Sequence, residues 1–172
     1  MSDWRECEAR GREGTRSGIP GLSQPPPSSA DPRPDVTALV TRGAVRLLLD
    51  MGLAPVLELT LANGRRADIA AVSPKGEITM VEVKSCRADF EVDQKWPEYK
   101  EYCDHFYFAV GEVFPQELLP PSEGLIVADG FGGAVIRDSS NDSLTGARRK
   151  AALIRFARHA ALRSGLESSP TN

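Results

Sequence analysis

Asp68, Glu82 and Lys84 are two carboxylates and an amine set close together in the segment RRADIAAVSPKGEITMVEVKS. Residues 66–72 and 77–84 are rich in apolar and β-branched side chains, and the Ser73-Pro74-Lys75-Gly76 break between them is turn chemistry, so the segment predicts a β-hairpin. Glu82 and Lys84, two apart on one strand, then share a face, and Val81 and Val83 take the other. With Asp68 beside them on the neighbouring strand, they offer hard oxygen ligands for Mg²⁺ and a cation for an attacking water or a phosphate.

Asp68 followed by Glu82-Val83-Lys84 resembles the PD-(D/E)XK nuclease superfamily. The runs LTLANGRRADIAAV and ITMVEVKSCRADFEVDQKWPEYKEYCDHFYFAV are similar to the MmcB family of DNA-repair proteins, over roughly residues 35–163. The resemblance implies a restriction-endonuclease-like α/β core, a mixed sheet flanked by helices, and Mg²⁺- or Mn²⁺-dependent hydrolysis of DNA phosphodiesters. Asp68, Glu82 and the Val83 carbonyl would hold the metal, and Lys84 would serve the attacking water or the transition state. The sequence departs from the superfamily pattern in two places: Ala67 stands where proline often precedes the aspartate, and Lys95 stands where the RecB-like branch carries glutamine, with Gln94 one residue early.

Without the resemblance, Asp68, Glu82 and Lys84 read equally as a surface ion pair near a strand edge. Two other readings keep the fold: a DNA-structure-binding module that has lost catalysis, and an RNA-processing nuclease. No RNP-like stretch separates RNA from DNA.

The elements that must position these groups follow from patterning. Val36, Leu39, Val40, Leu47, Leu48 and Met51 recur at helical spacing after Asp35 and before Gly52. Val56–Leu61 alternates as a strand, and Ala62-Asn63-Gly64 turns it back toward Asp68. If all three residues form the loop, Leu61 pairs with Arg65 and Glu58 faces Asp68 as a candidate third acid for the metal; a two-residue Asn-Gly turn would instead put Glu58 on the other face. A helix is expected from about Asp93 to Cys103, with Pro97 in its first turn. Gln94, Lys95 and Tyr99 on it are candidate substrate contacts, as are Arg65 and Arg66, whereas Trp96 reads as core. Phe106–Val110, Gly124–Ala128 and Gly132–Ile136 are further strands. In the last helix, residues 143–163, Leu144, Ala147, Ala151, Ile154, Ala157, Ala161 and Leu162 form the apolar stripe, and Arg148, Arg149 and Arg155 are candidate phosphate contacts.

Residues 1–34 are dense in Pro, Ser and Gly without apolar periodicity, and read as a disordered tail, as do residues 164–172. The 172 residues, 41% hydrophobic, suit one domain with one core. No apolar run is long enough to cross a membrane, and a cytoplasmic protein is the expectation. Three cysteines without a CxxC and only two histidines exclude the usual zinc sites. The net charge of −3 hides a polarity: residues 35–142 carry 18 acids against 10 bases, whereas residues 143–163 carry six bases and no acid. An acidic body argues against broad nonspecific coating of DNA; the basic end leaves a localised footprint.

Overall fold

A computed structural model describes residues 35–92 and 95–167. The expected tail at 1–34 and Gln94 lie outside the described residues, as do residues 168–172. The element order is α1 (Val36–Asp50), β1 (Ala54–Thr60), β2 (Arg66–Val72), β3 (Ile78–Lys84), α2 (Arg87–Val92), a 3-10 helix (Trp96–Tyr102), β4 (His105–Val110), a short 3-10 turn (Gln116–Leu118), β5 (Gly124–Ala128), β6 (Gly133–Arg137) and α3 (Gly146–Glu167). The strands form one sheet in sequence order, with β3, β4 and β5 parallel and the remaining neighbours antiparallel. This is the mixed, helix-flanked α/β sheet that the sequence predicts. The parallel pairing of β3 and β4 needs a long crossover, supplied by α2 and the 3-10 helix.

α1 ends as its sequence dictates. Gly52 adopts φ 77°, the Gly52 N–H reaches the Leu49 carbonyl, and the Leu53 N–H reaches that of Leu48. Such a glycine-terminated end satisfies carbonyls that the helix leaves open. The helix buries Val40, Ala44 and Leu48 against one face of the sheet, where Ile69, Val81, Val83, Tyr107 and Ile126 await them. Val36 and Met51, counted in the expected stripe, stay largely exposed.

The opposite face carries the larger apolar cluster. Trp96 stacks on Phe106 with ring centroids 5.8 Å apart and meets Phe108 edge-on at 5.5 Å. Such ring pairs add about 0.5–1.5 kcal/mol beyond area burial, so Trp96 anchors the crossover to β4, as its core reading requires. Pro97 falls in the first turn of the 3-10 helix, where its missing N–H costs nothing.

α3 rotates away from expectation. Of the expected stripe, Leu144 packs on the core, with Ala152, Leu153 and Phe156, while Ala147, Ala151, Ile154, Ala157, Ala161 and Leu162 face outward. The reason is Arg149, whose guanidinium reaches the buried Asp104 at 2.7 and 2.8 Å and draws that side of the helix inward. The helix also runs to Glu167, beyond the expected boundary at residue 163.

Candidate metal centre

The hairpin register brings the acids together. Ile69 pairs with Val81 and Ala70 with Met80, so the same register sets Asp68 across from Glu82. β3 is the third of six strands and every one of its residues is buried, because both of its faces are covered. Glu82 and Lys84 therefore lie at 6% and 3% exposure, with Lys84 Nζ donating to Glu82 Oε1 at 3.1 Å. They are not the solvated strand-edge pair that pattern alone would allow.

Asp68 is less deeply placed. Its Oδ2 accepts the Val83 N–H at 2.8 Å, so a side chain of β2 takes a backbone donor of β3 just beyond the last regular pair. Burial pushes the Asp68 carboxyl above its ordinary pKa, against the opposing pull of the Val83 N–H and the Lys84 charge. Asp89, on α2, adds to the upward push. Sequence reasoning missed Asp89; its carboxylate also accepts from Ser85 N and Oγ, which ties α2 to the end of β3. An acid three residues into a short helix gives no distinctive sequence signal.

The donor set fits a hard divalent cation. Two carboxylates and the Val83 carbonyl are oxygen donors of the kind Mg²⁺ and Mn²⁺ prefer, and Mg²⁺ is commonly held by one or two carboxylates with waters completing its shell. A bound cation would oppose the upward push that burial gives the Asp68 carboxyl.

Glu58 behaves differently from the expected third ligand. The Leu61 N–H bonds the Arg65 carbonyl at 2.7 Å, and the pairs Leu57–Ile69 and Leu59–Ala67 bracket Glu58 and Asp68, so the expected register holds. The Glu58 backbone, however, adopts φ 57°, the left-handed region that non-glycine residues avoid, and its carboxylate lies 3.4 Å from Arg66. Among the described residues no group of three or more acids, histidines or cysteines gathers to hold a metal, so Glu58 does not complete the pair.

Several candidate substrate contacts turn inward. Tyr99 is buried, stacked on Phe106, and its hydroxyl donates to the Arg66 carbonyl at 3.1 Å, so it fastens the crossover to β2 rather than meeting substrate. Arg149 is corrected likewise: Asp104 and the Gly76 carbonyl occupy its guanidinium. Arg65 forms a two-point pair with Glu98 at 2.9 and 3.0 Å, and Arg66 reaches Glu58. Arg148 and Arg155 are exposed on α3, with Arg155 donating to the Thr60 carbonyl at 3.3 Å, and Lys95 is exposed where the 3-10 helix begins.

A family model described as DNA repair protein MmcB-like matches residues 24–170. Among solved structures, the SPO1766 protein of unknown function from Silicibacter pomeroyi is similar to this chain, with 40% sequence identity and a TM-score of 0.75. The match covers 79% of this chain and 94% of that one. No curated protein matches significantly. No helix among the described residues is long and apolar enough to cross a membrane.

Proposed function

This chain belongs to the MmcB-like family of DNA repair proteins, and on that premise we propose that it hydrolyses DNA phosphodiester bonds with Mg²⁺ or Mn²⁺ at Asp68, Glu82 and Lys84. The observation that carries the reading is the buried Lys84–Glu82 pair facing Asp68 across the hairpin. Burying an ion pair costs several kcal/mol of desolvation and seldom repays it in stability, so a site that keeps one there invites a use beyond folding. When bound, the metal would neutralise charge on the phosphate and lower the pKa of a coordinated water.

The protein's own groups account for the rest. The Val83 N–H fixes Asp68 through Oδ2 and leaves Oδ1 as a ligand oxygen. Glu82 and the Val83 carbonyl supply the remaining protein donors. Lys84 holds a positive charge beside Glu82, where it can orient the attacking water or offset the extra negative charge of the pentacovalent transition state. In-line attack by water needs no covalent intermediate, so neither a serine nor a cysteine nucleophile is required.

Titration calorimetry with Mn²⁺ tests the metal site. The parent should bind, and Asp68→Ala or Glu82→Ala should each remove binding, because each deletes a carboxylate ligand. Equal affinity in the parent and the double variant would place any metal elsewhere.

One observation favours a second reading. Glu82 and Lys84 form an ion pair at 3.1 Å while almost wholly sequestered. A catalytically silent DNA-structure-binding module would keep that pair as a structural element, and it would show DNA binding that ignores both metal and Asp68→Ala.

A further inference from the structure

We propose that the seam between α3 and the outer edge of β1 is a docking groove for an acidic amphipathic helix of a partner protein. The site is separate from Asp68, Glu82 and Lys84 and does not depend on their chemistry. A groove of about 340 Å³ runs there, floored by Leu59, Ala151, Ile154 and Leu162 and bordered by Arg155 and Arg158. It adjoins a second hollow of about 200 Å³ that shares Leu59, Ala151 and Arg155 and reaches Phe156. Ile154 and Leu162 remain 51% and 63% exposed. The chain thus leaves an apolar stripe in water at the position where its sequence predicts a buried one.

The charge around the stripe selects the occupant. Of the six bases on residues 143–163, Arg149 is paired with Asp104 and Arg148 with Glu101, whereas Arg155 and Arg158 line the groove itself. Arg158 has no hydrogen-bond or ion-pair partner among the described residues. A second α3 laid against the first would set these cations against each other, whereas a helix with acids flanking an apolar seam would meet them with opposite charge. From Ala151 to Leu162 the stripe spans about 16 Å, or three helical turns. Alanines at 147, 151 and 161 let a second helix approach closely.

Two other occupants fit less well. Strand addition at β1 is blocked, because His159 Nε2 and Arg163 Nη1 donate to the Leu57 carbonyl and Arg155 to that of Thr60. Nucleic acid would engage the cations but leave the apolar floor uncovered. The aromatic rings of the adjoining hollow, Tyr102 and Phe156, are packed against the core rather than presented as a stacking platform for bases.

The test is selection of a displayed library of random peptides, each about 16 residues long so that a bound helix can span the groove, on the full chain. Counter-selection uses Ile154→Glu, a substitution at a half-exposed position whose fold circular dichroism would verify. Enriched peptides should combine apolar residues at i, i+3 or i+4 and i+7 with an excess of Asp and Glu. Their affinity by fluorescence anisotropy should fall at least about tenfold in Ile154→Glu and in Arg158→Glu, and it should weaken with added salt. No enrichment, enriched peptides without acids, or undiminished affinity in either variant would overturn the proposal. It would equally be overturned by self-association in ultracentrifugation that Ile154→Glu abolishes, or by a DNA oligonucleotide that loses about tenfold affinity in Ile154→Glu.

Discussion

Asp104→Ala should destabilise this fold severely although it lies away from Asp68, Glu82 and Lys84. Asp104 is 2% exposed; its Oδ2 accepts the Ile78 N–H at 2.8 Å, and its Oδ1 accepts the Leu144 N–H at 2.9 Å. Both oxygens also take the two-point contact from Arg149. One carboxylate thereby joins the start of β3, the segment before α3, and α3 itself. Removing it leaves two backbone donors short of a partner and strands a half-buried guanidinium. Breaking such a pair costs about 3–5 kcal/mol, a large share of the roughly 5–15 kcal/mol by which a domain is stable. With a urea slope of about 1.5–2 kcal/mol/M, the unfolding midpoint should fall by about 2 M.

The same carboxylate gives a pH signature. Burial alone would raise its pKa, but the Arg149 hydrogen bonds and the Ile78 and Leu144 N–H groups outweigh burial and hold it below the ordinary 3.8. A depressed folded pKa contributes stability above the unfolded value that is lost as pH falls through the folded one. The parent should therefore lose stability below about pH 4 more steeply than Asp104→Ala does. Urea unfolding followed by circular dichroism at pH 7 and pH 3 measures both effects. A midpoint within about 0.5 M of the parent at pH 7 would refute the assignment of Asp104 as the tie between β3 and α3.

Asp68→Asn should raise the melting temperature at pH 7 while abolishing metal binding. Its folded pKa is raised by burial, so ionising it at neutral pH works against folding, and the parent alone should lose stability as pH climbs above 4; a lower melting temperature in the variant would contradict this. Lys84→Ala should keep Mn²⁺ binding and most DNA affinity while cleavage falls by orders of magnitude, as when an interaction made mainly in the transition state is deleted; retained cleavage in gel assays would remove Lys84 from the chemistry. Gly43→Ala should cost about 1–3 kcal/mol in urea unfolding, because a Cβ there would collide with the carbonyl oxygens of Asp129 and Gly132.

Local signals made the site's frame legible. Ser73-Pro74-Lys75-Gly76 and Ala62-Asn63-Gly64 are turns whose chemistry fixes strand register, and register decides that Asp68, Glu82 and Lys84 share a face. What escaped the sequence depends on contacts distant along the chain. Arg149 reads as one more base on a basic helix until Asp104, 45 residues earlier, turns it inward and the alanine stripe outward. Tyr99 reads as polar and available, yet its ring is worth more against Phe106, and its hydroxyl finds the Arg66 carbonyl. Glu58 shows the limit of register itself: the pairing places it opposite Asp68, but φ 57° and Arg66 decide where its carboxylate goes.

The most direct test of the nuclease reading is metal-dependent cleavage by the parent compared with Asp68→Ala, on supercoiled plasmid and on nicked, branched and single-stranded DNA, with Mg²⁺ or Mn²⁺. The parent should cut at least one of these substrates, EDTA should stop it, and Asp68→Ala should be inactive while remaining folded. Cleavage by Asp68→Ala at the parent's rate, or no cleavage of any substrate by the parent with either metal, would contradict it.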